Sequence, residues 1–295
     1  MDANMTGSQT ISSVRLEIQK IDHLPAMPSI AQEILIASND VSSGLDDIAK
    51  IIKKDPALTA KIIGISNSAF FGFGRKVTTL EQAIINVPGL DLVKGFALSL
   101  AMSSVFNPEK CTQFDIKKYW LSAFLTAELA SGFVNLLKSD QTLDPNQLYL
   151  NGLLHNIGIL VLVDRFPNIM SELFATASEN REKRLIDYET ETIDFNHHEA
   201  GAWLAHRWKL PFEMIDIIAH HHDLTYQERN ADAVILIGLC SRISRQWILQ
   251  TNYDPMQEIE AINSLNIDKS ALEKYISKLY KKLENINQLV DEIAR

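Results

Sequence analysis

The residues of this sequence best suited to chemistry are its histidines. His197, His198, His206, His220, His221 and His222 fall between positions 197 and 222, and His155 lies upstream in the apolar run Asn151 to Asp164, NGLLHNIGILVLVD. Imidazoles brought together from separate helices of a bundle are good ligands for a transition metal. The same residues can also be surface or hydrogen-bonded core histidines, and spacing alone favours that plainer use.

The elements that must position them read as helices. Asp144-Pro145 supplies a cap and a first-turn proline for the helix that carries His155, and Asn151 to Asp164 reads as one continuous apolar helix. Residues 194 to 211, DFNHHEAGAWLAHRWKLP, read as a helix stopped by Leu210-Pro211. Phe212 to His220 follows, ending in His220-His221-His222-Asp223, and Ala231 to Ile248 is a further apolar helix. Tyr119 to Leu137 is a long helix whose Ser122, Ala123, Ala127, Ala130 and Ser131 allow close approach of a neighbour. Met170 to Glu179 and Leu185 to Thr192 are two more.

Upstream, Val14, Ile18 and Ile21 begin a helix that Leu24-Pro25-Ala26-Met27-Pro28 breaks. Ser29 is expected to cap a helix over Ile30 to Ala37. Ile48, Ile51 and Ile52 belong to a short one ending at Asp55-Pro56, and Pro56 opens the next. Asn67 to Gly74, with Phe70, Phe71 and Phe73, reads as a loop whose rings plug a core. Thr79 to Gln82 starts a helix that halts at Val87-Pro88-Gly89, and Leu92 to Val105 forms another. In the tail, Leu272, Ile276, Leu279, Leu283, Ile286, Val290 and Ile293 recur at 4-3 spacing, an a/d seam on one helix. Such a seam can lie on its own domain, dock a partner, or join two copies through residues 270-294.

No stretch alternates with period two for long, so the expected class is all-α, a multi-helical two-lobe bundle. Its expected divisions are a tail and helix start over 1-19, an N-terminal lobe over 20-108, a second lobe over 109-250 and an extension over 251-295, with Asn107 to Lys110 as the seam. The chain has 295 residues, 46% of them apolar, enough for a sizeable core. A net charge of -9 with scattered positive residues argues against nucleic acid. No apolar run approaches a bilayer span, and the N-terminus has neither a basic nor an apolar signal region. Cys111 and Cys240 are distant in sequence and in no zinc-type spacing, so a reducing, cytoplasmic setting is expected.

LPAMP, then DPALTAKIIGISNSAFFG, GLLHNIG, HHEAGAWLAHRWKLP and IIAHHHD together resemble the HDOD family, a divergent branch of the HD superfamily of metal-dependent phosphohydrolases. The resemblance covers about residues 20 to 245 and implies an HD-like fold for the second lobe. It implies metal-ligand positions at His155, His197, His221 and His222. It also places Asn156 where the superfamily has the aspartate of its His-Asp doublet, Ser122 where it has a histidine, and Ser241 near its closing aspartate. An amide and two hydroxyls carry no charge to neutralise two cations, so a dinuclear centre is not expected. The motifs also leave no acidic group to take a proton from water. The implied function is a bacterial signalling module that binds an unidentified protein or small ligand, with no resident cofactor. The alternative is a phosphohydrolase using His155, His197, His221 and His222 on one zinc, nickel or iron ion.

Overall fold

The computed structural model describes residues 24-40, 43-71, 76-86, 90-137, 143-180, 183-249 and 254-294. The helix expected from Val14, Ile18 and Ile21, the ring of Phe73, and the stop at Val87-Pro88-Gly89 lie outside them. The first helices are α1 (Ser29–Asn39), α2 (Leu45–Ile52), α3 (Pro56–Ser66), α4 (Leu80–Asn86) and α5 (Leu90–Ser103). Then come α6 (Ile116–Phe133), α7 (Pro145–Leu154), α8 (Ile157–Arg165), α9 (Pro167–Glu179), α10 (Leu185–Ile193) and α11 (His197–Arg207). The last are α12 (Phe212–His220), α13 (Ala231–Leu249), α14 (Ile259–Ser264), α15 (Lys269–Tyr280) and α16 (Leu283–Ile293). The fold is all-α. Among the described residues there is only an isolated bridge, Leu137 to Ile267, and no helix is long and apolar enough to cross a membrane.

Local chemistry sets most of these boundaries. Asp55 accepts from the Leu58 amide at 3.0 Å and Asp144 from the Asn146 amide at 2.9 Å, each just ahead of a first-turn proline. Ser29 is not a cap. It is the first residue of α1, Pro28 precedes it, and no side chain caps that end. The long helix expected to reach Leu137 closes at Phe133 and passes into a 3-10 turn over Val134–Leu136.

Two expected single helices are each broken in two. Asn151 to Asp164 is split at His155 and Asn156: Asn156 has φ -103° and ψ 19°, and the Ile159 amide bonds back to its carbonyl at 2.9 Å. The tail seam is split at Lys281 and Lys282, where Lys282 has φ -96° and ψ 2°.

Contacts gather the chain into two compact units. Of the described residues, one takes 24-26, 105-114 and 156-219, and the other takes 27-104, 115-155 and 220-294. The larger unit is built around α6, which packs against α7 and α13. A Cβ on Gly152 of α7 would lie 2.5 Å from the Ala127 Cα, so only glycine allows this approach. Phe124 of α6 stacks on Phe96 at 5.8 Å and meets the Phe70 ring edge-on at 5.1 Å, so Phe70 serves the core.

The tail seam is spent on the same unit. Leu272, Leu279, Ile286, Val290 and Ile293 are buried, and α16 lies against α6 and α3. Burying such side chains contributes about 1.5-3 kcal/mol each. Lys61 of α3 donates to the Ile293 carbonyl at 2.6 Å. The Tyr275 ring sits where a side chain at 132 would be, and its hydroxyl donates to the Glu128 carbonyl at 3.1 Å.

In the smaller unit α8 crosses α11 at two glycines. A Cβ on Gly158 would lie 1.8 Å from the His197 carbonyl oxygen and 2.7 Å from the Gly201 nitrogen. Trp208 closes this unit by donating Nε1–H to the Pro25 carbonyl at 2.9 Å.

Candidate functional site

In the smaller unit, a capping box begins α11. Asn196 Oδ1 accepts from the amides of His198 and Glu199 at 3.0 and 3.2 Å, and Glu199 Oε2 accepts from the Asn196 amide at 3.1 Å. That start puts His197 and His198 in the first turn. Glu189, fully buried on α10, directs Oε2 at His197, accepting from its amide at 2.9 Å and from its ring Nδ1 at 2.5 Å. With the proton on Nδ1, the lone pair of His197 is on Nε2, the tautomer a carboxylate imposes on a metal-ligating imidazole. His198 is held the same way: its Nδ1–H donates to the Ala219 carbonyl at 3.0 Å. The rings of His197 and His198 meet edge-on at 4.8 Å.

In the larger unit, the break after α7 places His155 as the C-cap. A carbonyl oxygen only accepts, so His155 donates Nδ1–H to the Gly152 carbonyl at 2.7 Å. Its Nε2 is then the acceptor, and the Ser241 hydroxyl of α13 donates to it at 3.1 Å. The His221 ring lies edge-on to His155 at 4.9 Å and to His222 at 4.5 Å, with His155 and His221 both buried. Ser122 joins a hydroxyl cluster, 3.5 Å from Ser244, which is also 3.0 Å from Thr126. His206 and His220 are exposed, and His220 stacks on Tyr226 at 4.8 Å.

Of the expected ligand positions, the structure brings His155, His221, His222 and Ser241 together in the larger unit, while His197 and Asn156 belong to the smaller one. The motifs lacked an acidic group, and the structure supplies one in Glu189. The signal for it was faint. Glu189 is four residues from both Leu185 and Ile193, so it lies on the apolar face of α10 and not with the solvated acids Asp187 and Glu191. His198 was missed as well, because the resemblance assigns a role only to its neighbour.

Residues 24–224 match the HDOD domain. The chain belongs to the HDOD family. A protein of the same kind of sequence, called uncharacterized, occurs in Treponema pallidum (strain Nichols). It is 31% identical over 220 residues, which are 74% of this chain and 41% of that protein. This HDOD chain thus spans less than half of that relative's length. Among solved structures, a signal-transduction candidate of Marinobacter aquaeolei VT8 is similar with a TM-score of 0.80 and 22% identity, covering 92% of this chain and 60% of that one. An HDOD domain protein with unknown function from Geobacter sulfurreducens is similar at 0.72 and 20%, covering 97% and 98%. A candidate phosphohydrolase of Shewanella amazonensis SB2B is similar at 0.73 and 22%, covering 94% and 97%. At such identities the likeness is one of fold. The HDOD match ends at residue 224, so α13, with Ser241, lies beyond it.

Proposed function

We propose that this HDOD protein is a bacterial signal-transduction module that works by binding a protein or a small ligand and does not hydrolyse phosphoesters. The observation that carries this reading is the bonding of His155. Both ring nitrogens are engaged, one with the Gly152 carbonyl and one with the Ser241 hydroxyl. A ligand nitrogen needs its lone pair for the ion, and here the serine standing near the closing aspartate's place takes it. His155 therefore does not fit a metal centre as it stands.

Metal analysis of the purified chain, paired with a panel of phosphodiester and nucleotide substrates, tests this. The expected result is well under one ion per chain and no turnover. Near-stoichiometric metal with turnover lost in His155→Ala overturns the reading.

One observation favours the alternative, a phosphohydrolase with a single ion. Glu189 and the Ala219 carbonyl each take the Nδ1–H of a histidine, leaving His197 and His198 with the Nε2 lone pair of a metal-ligating imidazole. A bound ion would supply Lewis acidity and an acidified water. Glu189 already accepts two bonds from His197, so its role there is to orient that ring.

A further inference from the structure

Gly238, Ser241 and Arg242 share one face of α13, and each acts on the histidines of the larger unit. Gly238 leaves room for the His221 carbonyl, which a Cβ at that position would meet at 2.0 Å. Ser241 holds His155, whose ring abuts His221. Arg242 donates Nη2–H to the His222 carbonyl at 3.2 Å.

The other branch of the same guanidinium is committed to the C-terminal helices. Nη1 lies 3.0 Å from both carboxylate oxygens of Glu258, in the 3-10 turn Pro255–Glu258 that leads into α14. The pair is half-withdrawn from water, with the two side chains 32% and 18% exposed. A planar fork can serve a carboxylate and a carbonyl at once in a fixed geometry, whereas an ammonium on a flexible stem would serve one or the other. Arg242 and Glu258 both lie past residue 224, where the family match ends.

We propose that Arg242 is a positioning residue linking the helices after residue 254 to the turn that carries His221 and His222, so that loss of Glu258 loosens that turn. The functional importance of that link rests on the histidine turn being the working site; the link itself does not. The plain alternative is an ion pair that only stabilises the unit.

Amide hydrogen exchange on the full chain separates the two. The reporters are Asp223, Thr225 and Tyr226, whose amides bond to the His220 carbonyl, to Asp223 Oδ1 and to the Asp223 carbonyl. In Glu258→Ala these amides are expected to exchange about tenfold faster, with α6 unchanged. Equal acceleration in α6, or none in the turn, overturns the proposal. Arg242→Lys keeps a charge for Glu258 and should still loosen the turn. The reversed pair Arg242→Glu with Glu258→Arg restores the charges without the donor at His222, so exchange should stay fast. Wild-type exchange in either of these two variants also overturns it. Exchange reads the link alone, so its failure leaves the proposed function standing, and that reading is decided by the metal and turnover assays above.

Discussion

Gly158→Ala should lower the melting temperature by about 6-12 °C, the equivalent of about 3 kcal/mol in a chain of this size. The added methyl would lie 1.8 Å from the His197 carbonyl oxygen and 2.7 Å from the Gly201 nitrogen. Both obstacles are main chain on a facing helix, so no rotamer change relieves them. α8 and α11 must separate, and His197 moves relative to Glu189, breaking a buried arrangement in which one carboxylate oxygen takes two donors. Gly64→Ala is the control, since its nearest obstacle is the tip of the Glu292 side chain at 3.2 Å, which can swing aside. A thermal scan of both variants checks this. Equal and small shifts would mean that the helix crossing is slacker than its geometry implies.

Glu128→Gln should stabilise the protein above pH 7 and leave it unchanged below pH 4.5. Glu128 is half-buried on α6, with Tyr149 of α7, Tyr275 of α15 and Lys282 acting on or being acted on by its charge. Burial pushes its carboxyl from the usual 4.5 up to about 7, with Lys282 and Tyr149 opposing the rise. Between those values the folded chain binds more protons than the unfolded one, so stability falls as pH rises from 4.5 to 7 and stays reduced above that. Such a shift corresponds to about 3 kcal/mol. Glutamine keeps the shape and cannot ionise. At pH 8 the variant should melt about 5-10 °C above the wild type, and the two should converge at low pH. Parallel curves across the whole range would show that Glu128 does not carry this charge penalty.

The sequence is most informative where the signal is local. Asp55-Pro56 and Asp144-Pro145 start helices as expected because an acceptor and a fixed φ act on the next turn whatever surrounds them. The break at His155 and Asn156 left no such mark. The residues on both sides are apolar, no proline intervenes, and the interruption is held by tertiary contacts: Gly152 on Ala127, Gly158 on His197. The tail misleads in the same way, since two helices joined by a tight turn at Lys281 and Lys282 keep the apolar spacing of one. The positions His155, His197, His221 and His222 came from the resemblance. What could not be read was the bonding around them, Glu189 on His197 and Ser241 on His155, because each pair joins residues on separate helices with no spacing rule between them.

The bond from Lys61 to the Ile293 carbonyl bears on how the protein is made. α3 and α16 are separated by more than two hundred residues, and the larger unit takes material from both sides of the segments belonging to the smaller one. Closing a loop of that length gains nothing until its far end exists. During translation, the apolar residues of α3 that α16 covers stay exposed until α16 clears the ribosome. The nascent chain is therefore most in need of a chaperone in the interval before α16 emerges.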